Sequence, residues 1–149
     1  MALQTDRLRI IPCTSEYVAT ISDEEYNMGP HITMYLEELK KDSTLLGWGV
    51  WLVINKENNS IIGDIGFKGK PNSSKTVEID YGIIPSAQGN GYATEAVNEI
   101  VKWAFSFDTV DVIVAECLID NLPSIRVLEK LKMKKTEIQH EMIKWQLKK

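Results

Sequence analysis

Two carboxylates, Glu78 and Asp80, alternate along "TVEIDYGII", residues 76–84. With Gly82 they share one face of any extended strand, leaving Val77, Ile79 and Tyr81 on the other. Carboxylates so close repel, which raises the pKa of one and suits it to remove a proton near neutral pH. A solvated or cation-paired Asp80 is the equally weighted alternative. The next stretch, "IIPSAQGNGYATEAV", residues 83–97, sets Gly89 and Gly91 one residue apart between an apolar strand and a periodic helix. A strand entering a helix through glycines is an anion site. The first helical N–H groups lack internal partners, the helix dipole adds about half a positive charge, and no Cβ holds the anion off. A tight turn with close helix–strand packing is the alternative for the glycines. A third stretch, "DNLPSIRVLEKLK", places Asn121 and Ser124 at a helix start, where either residue type serves as a cap.

The residues after the glycines narrow the type of anion. A nucleoside-triphosphate loop needs Lys and Ser/Thr after its last glycine, but Gly91 is followed by Tyr92. A dinucleotide fingerprint needs a third glycine where Thr94 stands, and follows the first strand rather than the fourth predicted here. His31 and His140 lie far apart without a ligand pattern, and Cys13 and Cys117 have no metal-ligand spacing, so no metal is expected. Cys117 reads as a small core hydrophobe and Cys13 as half exposed.

The elements that must position these residues are legible from periodicity. "RLRII", Arg7 to Ile11, reads as a strand, and "TSEYVATI" and "HITMYLEELKK" as short helices. The second helix carries Ile32, Tyr35, Leu36 and Leu39 on one face. "WGVWLVIN" and "IIGDIGFKG" are the strands of a hairpin turning at "KENNS". "TVEIDYGII" is the fourth strand. Ala93, Ala96, Val97, Ile100, Val101 and Ala104 then mark an amphipathic helix. "VDVIVAECLI" is a central strand with apolar residues on both faces. "NLPSIRVLEKLK" is a helix with an early proline. "TEIQHEMIKWQL" alternates as one closing strand. The order predicts a single mixed α/β (α+β) domain over residues 1–149, with helices packed on a twisted sheet.

A chain of 149 residues suffices for one core. The net charge of −4 argues against nucleic acid as the main partner, though a local basic patch remains compatible. Two cysteines without a framework fit a reducing cytoplasm. No apolar run approaches the roughly 20 residues that span a bilayer, and the N-terminal "MALQTDRLRIIP" lacks a signal core. Trp48, Trp51, Trp103 and Trp145 read as core by pattern. The runs "DEEY" and "EELKKD" read as solvated faces that also favour a cationic partner by their field.

Gln88-Gly89-Asn90-Gly91-Tyr92-Ala93 matches the Q/R-x-x-G-x-G/A signature of the GNAT acetyltransferase superfamily. "TDRLRI", "EIDYGIIPSAQGNGYATEAV" and "NLPSIRVLEKL" resemble, in order, three blocks of the branch that acetylates ribosomal-protein N-termini. The resemblance covers nearly the whole chain. It implies a mixed, mostly antiparallel twisted sheet with helices on both faces. It also implies direct acetyl transfer from acetyl-CoA to an amine: a protein N-terminus, a lysine, or a small amine. A CoA-binding module with little activity is the second reading. Self-association is common in the family, so a homodimer is possible.

The resemblance also implies roles. Gln88, Gly89, Asn90, Gly91, Tyr92, Ala93 and Thr94 would hold the pyrophosphate. Gly82, Ile83 and Ile84 would pair with the pantetheine arm where two strands splay apart, with the N–H of Ile83 or Ile84 as oxyanion donor. Glu78 aligns with the acidic position many members use. Asp80 stands where glycine is more usual, and Gly82 where tryptophan is frequent. The tyrosine that many members place seven residues after the asparagine is Leu128 here. Ser124 is therefore the candidate to touch the CoA sulfur, and Asn121 to contact pantetheine or cap the helix. The usual Leu-Gly-Phe is Leu131-Lys132-Met133. One of Trp48 and Trp51 would line the acceptor groove, and the acceptor-binding helices are short, which leaves the site more open.

Overall fold

The computed structural model describes residues 1–22 and 24–149; Asp23 of the acidic "DEEY" run lies outside the described residues. The strands are β1 (Leu3–Gln4), β2 (Leu8–Pro12), β3 (Val50–Asn55), β4 (Ile61–Phe67), β5 (Thr76–Ile83), β6 (Val112–Leu118), β7 (Lys134–Gln139) and β8 (Met142–Lys148). The helices are α1 (Ser15–Val18), α2 (Pro30–Lys41), α3 (Tyr92–Phe105) and α4 (Leu122–Lys130). One sheet runs β1-β2-β3-β4-β5-β6-β8-β7. Every pairing is antiparallel except β5 with β6. Helices cover both faces, as the resemblance implies.

Each face is held by its own apolar cluster. On one, α3 buries Ala96, Val97, Ile100, Val101 and Ala104 against Trp51, Val53, Ile65, Val77 and Ile79. Each large side chain so buried contributes roughly 1.5–3 kcal/mol. On the other, Ile32 of α2 packs with Cys13, Val50, Leu52 and Ile54, and Tyr35 and Leu36 lean on the same cluster. Strand β3 feeds both clusters by alternation and is buried along nearly its whole length. Helix α2 starts at Pro30 in its first turn, carries Lys40 and Lys41 in its last, and turns its predicted apolar face inward.

As expected from sequence, β6 is an interior strand of the sheet; it buries Ile113, Ala115 and Cys117 and leaves Glu116 and Leu118 exposed. Three expectations are corrected. The closing segment is two strands, because His140 and Glu141 both take left-handed φ, 52° and 64°, and turn the chain in two residues. A short β1 precedes the first predicted strand. Cys13 is fully buried rather than half exposed.

Candidate active site

The glycine turn lies between β5 and α3. A short 3-10 turn, Pro85–Ala87, leads to Gln88, and Gly89 and Gly91 take φ of 82° and 79°. A side chain is strained at such angles, so this turn depends on glycine at both positions. A Cβ on Gly89 would meet nothing within 4 Å: the space above the loop is open. Among the described residues, no backbone N–H from Gly89 to Thr94 has an acceptor. The first bond into the helix runs from the Glu95 N–H to the Gly91 carbonyl at 3.1 Å. Side chains shape the loop from within: Gln88 Nε2 donates to the Ile83 carbonyl at 2.8 Å, and Asn90 Nδ2 to the Ala87 carbonyl at 3.0 Å. Arg7 crosses beside the helix start, 2.8 Å from Glu95 and over the Tyr92 ring at 4.3 Å.

Beyond that turn the sheet opens. β5 pairs with β6 only at Thr76, Val77 and Glu78, opposite Val112, Ile113 and Val114. From Ile79 onward β5 pairs with β4 alone, while β6 continues along β8. The Ile84 N–H donates to the Ile62 carbonyl at 2.9 Å, and the Glu78 carbonyl accepts from the Lys68 N–H at 2.9 Å. Residues 78, 80, 82 and 84 therefore direct their backbone groups toward β4, and the alternation turns the N–H groups of Tyr81 and Ile83 into the opening. Of the two donors expected from sequence, Ile84 is engaged and Ile83 faces the opening.

A cavity of about 400 Å³ lies beside that edge, lined by Gly82, Ile83, Ile84, Tyr81, Asp80, Asp64, Tyr26 and His31. Asp80 is exposed and opens into it, so water reaches the carboxylate. Its pKa is raised: partial desolvation raises it most, the Lys68 charge opposes, and the Asp64 charge raises it further. Repulsion from Glu78, the cause expected from sequence, is the smallest contribution. Glu78 is placed differently. Its Oε2 sits 2.9 Å from Lys68 Nζ, and it lines a neighbouring cavity with Glu116 and Lys144 rather than the one holding Asp80.

The cavity is closed by a contact that local sequence patterns did not suggest. Tyr26 Oη donates to Asp64 Oδ2 at 2.6 Å, and His31 Nε2 lies 2.8 Å from Asp64 Oδ1. These bonds fasten the segment before α2, and the first turn of α2, to β4. Burial, then the bond to Asp64, raises the Tyr26 pKa and keeps the phenol protonated as a donor.

At the other side, Asn121 is the cap of α4: its Oδ1 accepts from the Ser124 N–H at 3.3 Å. The Ser124 hydroxyl makes no hydrogen bond among the described residues. Tyr81 Oη donates to the Ser124 carbonyl at 3.4 Å, which brings a second hydroxyl to this corner. Leu128 is fully buried in the core. Lys132 takes a left-handed φ of 64°, the Met133 N–H donates to the Leu128 carbonyl at 3.1 Å and the Lys132 N–H to the Glu129 carbonyl at 2.9 Å. That is the glycine-type helix stop, formed here by a lysine.

Residues 7–134 match the family described as the acetyltransferase (GNAT) domain. The chain belongs to the GNAT acetyltransferases. The uncharacterized N-acetyltransferase YjdG of Bacillus subtilis (strain 168) is 37% identical over 100 residues, 67% of this chain and 60% of that protein. A second relative from that organism, YoaA, is 33% identical over 57% of this chain and 48% of its own length. The alignments thus span between 48% and 60% of these curated relatives. The ribosomal-protein-S5-alanine acetyltransferase from Vibrio fischeri superposes with a TM-score of 0.78 at 16% identity, covering 99% of this chain and 96% of that one. At such identity the likeness shows the fold.

The sequence and its resemblance had singled out the turn, Asp80 and the Asn121–Ser124 corner as candidates. It passed over Tyr26, His31, Asp64 and Tyr81. His31 lacks a partner in the sequence because Asp64 is 33 residues away on another element. The local signal was that Tyr26 and His31 flank Gly29-Pro30, where α2 begins.

Proposed function

We propose that this chain transfers an acetyl group from acetyl-CoA directly to a primary amine, with Asp80 receiving the amine's proton. One observation carries the reading: the opened edge of β5, with unpartnered N–H groups at the glycine turn at one end and Asp80 alongside. The residues fit the co-substrate, since an anion is what the N–H groups of Gly89 to Thr94 lack. Those groups would hold the pyrophosphate, with Gln88 and Asn90 bracing the loop, and Gly82, Ile83 and Ile84 would border the pantetheine arm. Bound acetyl-CoA supplies the acetyl group and a thiolate leaving group. The Ile83 N–H would steady charge developing on the acyl oxygen. Asp80, with its raised pKa, is a stronger base than an ordinary aspartate and would accept the amine's proton. Glu78, held by Lys68, tunes the field around Asp80. The Ser124 hydroxyl, with Tyr81 beside it, would return a proton to sulfur, and Asn121 fixes that corner by capping α4.

The spermidine N-acetyltransferase from Vibrio cholerae, in complex with CoA and spermine, shares the fold at a TM-score of 0.75 and 14% identity, covering 97% of this chain and 96% of that one. With the alanine acetyltransferase above, it frames the acceptor as a primary amine on a protein N-terminus or a small molecule. Among the described residues, no helix is long and apolar enough to cross a membrane; a cytoplasmic enzyme without nucleic-acid partners fits the charge and the free, buried cysteines. The exposed edge strand β7 would serve a homodimer. The buried Leu128 in place of a tyrosine favours one second reading, a CoA-binding module with little turnover; the phenol of Tyr81 beside Ser124 weighs against it. Calorimetry with acetyl-CoA, followed by thiol release across a panel of amines and mass spectrometry of the products, separates them. Binding with amide formation supports transfer. Binding with no release across the panel supports the module.

A further inference from the structure

A second cavity, of about 430 Å³, shares His31 and Asp80 with the first. Asp80 therefore stands at the junction of the two. Beyond it the walls are apolar, formed by Met34 and Tyr35 of α2, Leu45, Trp48 and Phe67. Gly49 makes room for them: a Cβ there would lie 2.0 Å from the Tyr35 ring, so only glycine lets that ring lie against the sheet. The Tyr35 hydroxyl is tied to the Leu45 carbonyl at 3.3 Å, and burial pushes the phenol up to about 12, so the wall stays uncharged. Trp48 is wedged between Phe67 and Trp103, at centroid distances of 5.5 and 4.7 Å, which makes the wall rigid. The cation bordering the groove, Lys68, is bound to Glu78. Glu38 at the rim adds a negative charge.

An apolar trough ending at a carboxylate complements one kind of amine. The ammonium meets Asp80 and an apolar body fills the trough. A polyamine could set a distal ammonium against Glu38 at the rim, but any ammonium in between would lie among Met34, Tyr35 and Leu45. We propose that the preferred acceptor is a primary amine carrying an aromatic or other bulky apolar group close to its nitrogen. This rests on the acetyl-transfer reading and narrows it. Two sources present this chemistry, a free arylalkylamine and a protein N-terminus whose first residue is aromatic.

The test compares 2-phenylethylamine, ethylamine, spermidine and a dipeptide amide beginning with phenylalanine. The expected result is a kcat/KM for 2-phenylethylamine at least about 10-fold above ethylamine and above spermidine, the scale on which apolar pockets discriminate. Met34→Glu, at an exposed wall position, should lower the phenylethylamine-to-ethylamine ratio several-fold. A dipeptide amide faster than phenylethylamine assigns the source to a chain end, and the reverse to a free amine. Calorimetric titration of 2-phenylethylamine into the CoA-loaded protein reads the groove without turnover. Binding that Met34→Glu weakens, with no thiol release, keeps the groove and overturns acetyl transfer. Release with ethylamine or spermidine but no preference for phenylethylamine keeps transfer and overturns the groove. Neither binding nor preference overturns the proposal outright.

Discussion

The Asp80 carboxyl makes a prediction with a definite thermodynamic sign. Its pKa is raised in the folded protein, chiefly by desolvation. A group so raised holds its proton more tightly folded than unfolded. Its contribution to stability is complete below the unfolded value and is lost as pH rises through the folded one. Asp80→Asn cannot ionise, so it should gain stability relative to the parent between acid and neutral pH. The gain should stay below about 1 kcal/mol because water reaches the carboxylate. Urea denaturation of both proteins at several pH values reads it; a parent whose relative stability rises with pH would contradict the sign. Lys132 gives a second residue-scale prediction. It occupies a left-handed position that glycine takes at little cost. Lys132→Gly should therefore stabilise by about 1 kcal/mol, raising the Tm by about 2–4 °C for a chain of this size. An unchanged Tm would mean that the lysine is not strained there.

The proposed co-substrate site is built from whole elements, and some were more legible than others. The turn between β5 and α3 could be read from sequence because a glycine pair, an apolar strand and a 3.6-residue stripe are all local. Helix α2 and strands β3 to β5 were legible for the same reason. The hairpin of β7 and β8 was not, because His140-Glu141 turns the chain with neither asparagine nor glycine to signal it. The clasp of Tyr26 and His31 on Asp64 was hidden because it joins two elements distant in sequence. At this scale the turn makes its own prediction. Gly91→Glu forces a side chain into φ near 79° and sets a carboxylate beside the unpartnered N–H groups. The destabilisation should be about 1–2 kcal/mol, which leaves the fold intact, while acetyl-CoA binding disappears. Circular dichroism and calorimetry on one sample check both; a folded variant with unchanged affinity would remove the loop assignment.

For the whole molecule, the sheet is the frame that makes separate local features one site. β5 leaves β6 after Glu78, and that divergence exposes the edge that Ile83 offers. The two helical layers then close opposite sides: α3 presents its N-terminus to the loop, and α2 lays His31 over the cavity that holds Asp80. Glu78 and Asp80, equivalent by alternation, fall into different surroundings only once the sheet is assembled, which is why spacing alone left them undecided. The measurement that tests this arrangement most directly is the pH dependence of thiol release from acetyl-CoA in the presence of an amine, for the parent, Glu78→Gln and Asp80→Asn. Activity of the parent should rise with pH through the raised pKa of Asp80. Glu78→Gln should keep that limb, and Asp80→Asn should lose it together with about 100-fold or more of kcat. Release by Asp80→Asn at the parent's rate and with the parent's profile would contradict the assignment, and no thiol release from acetyl-CoA by the parent with any amine would contradict the acetyl-transfer reading.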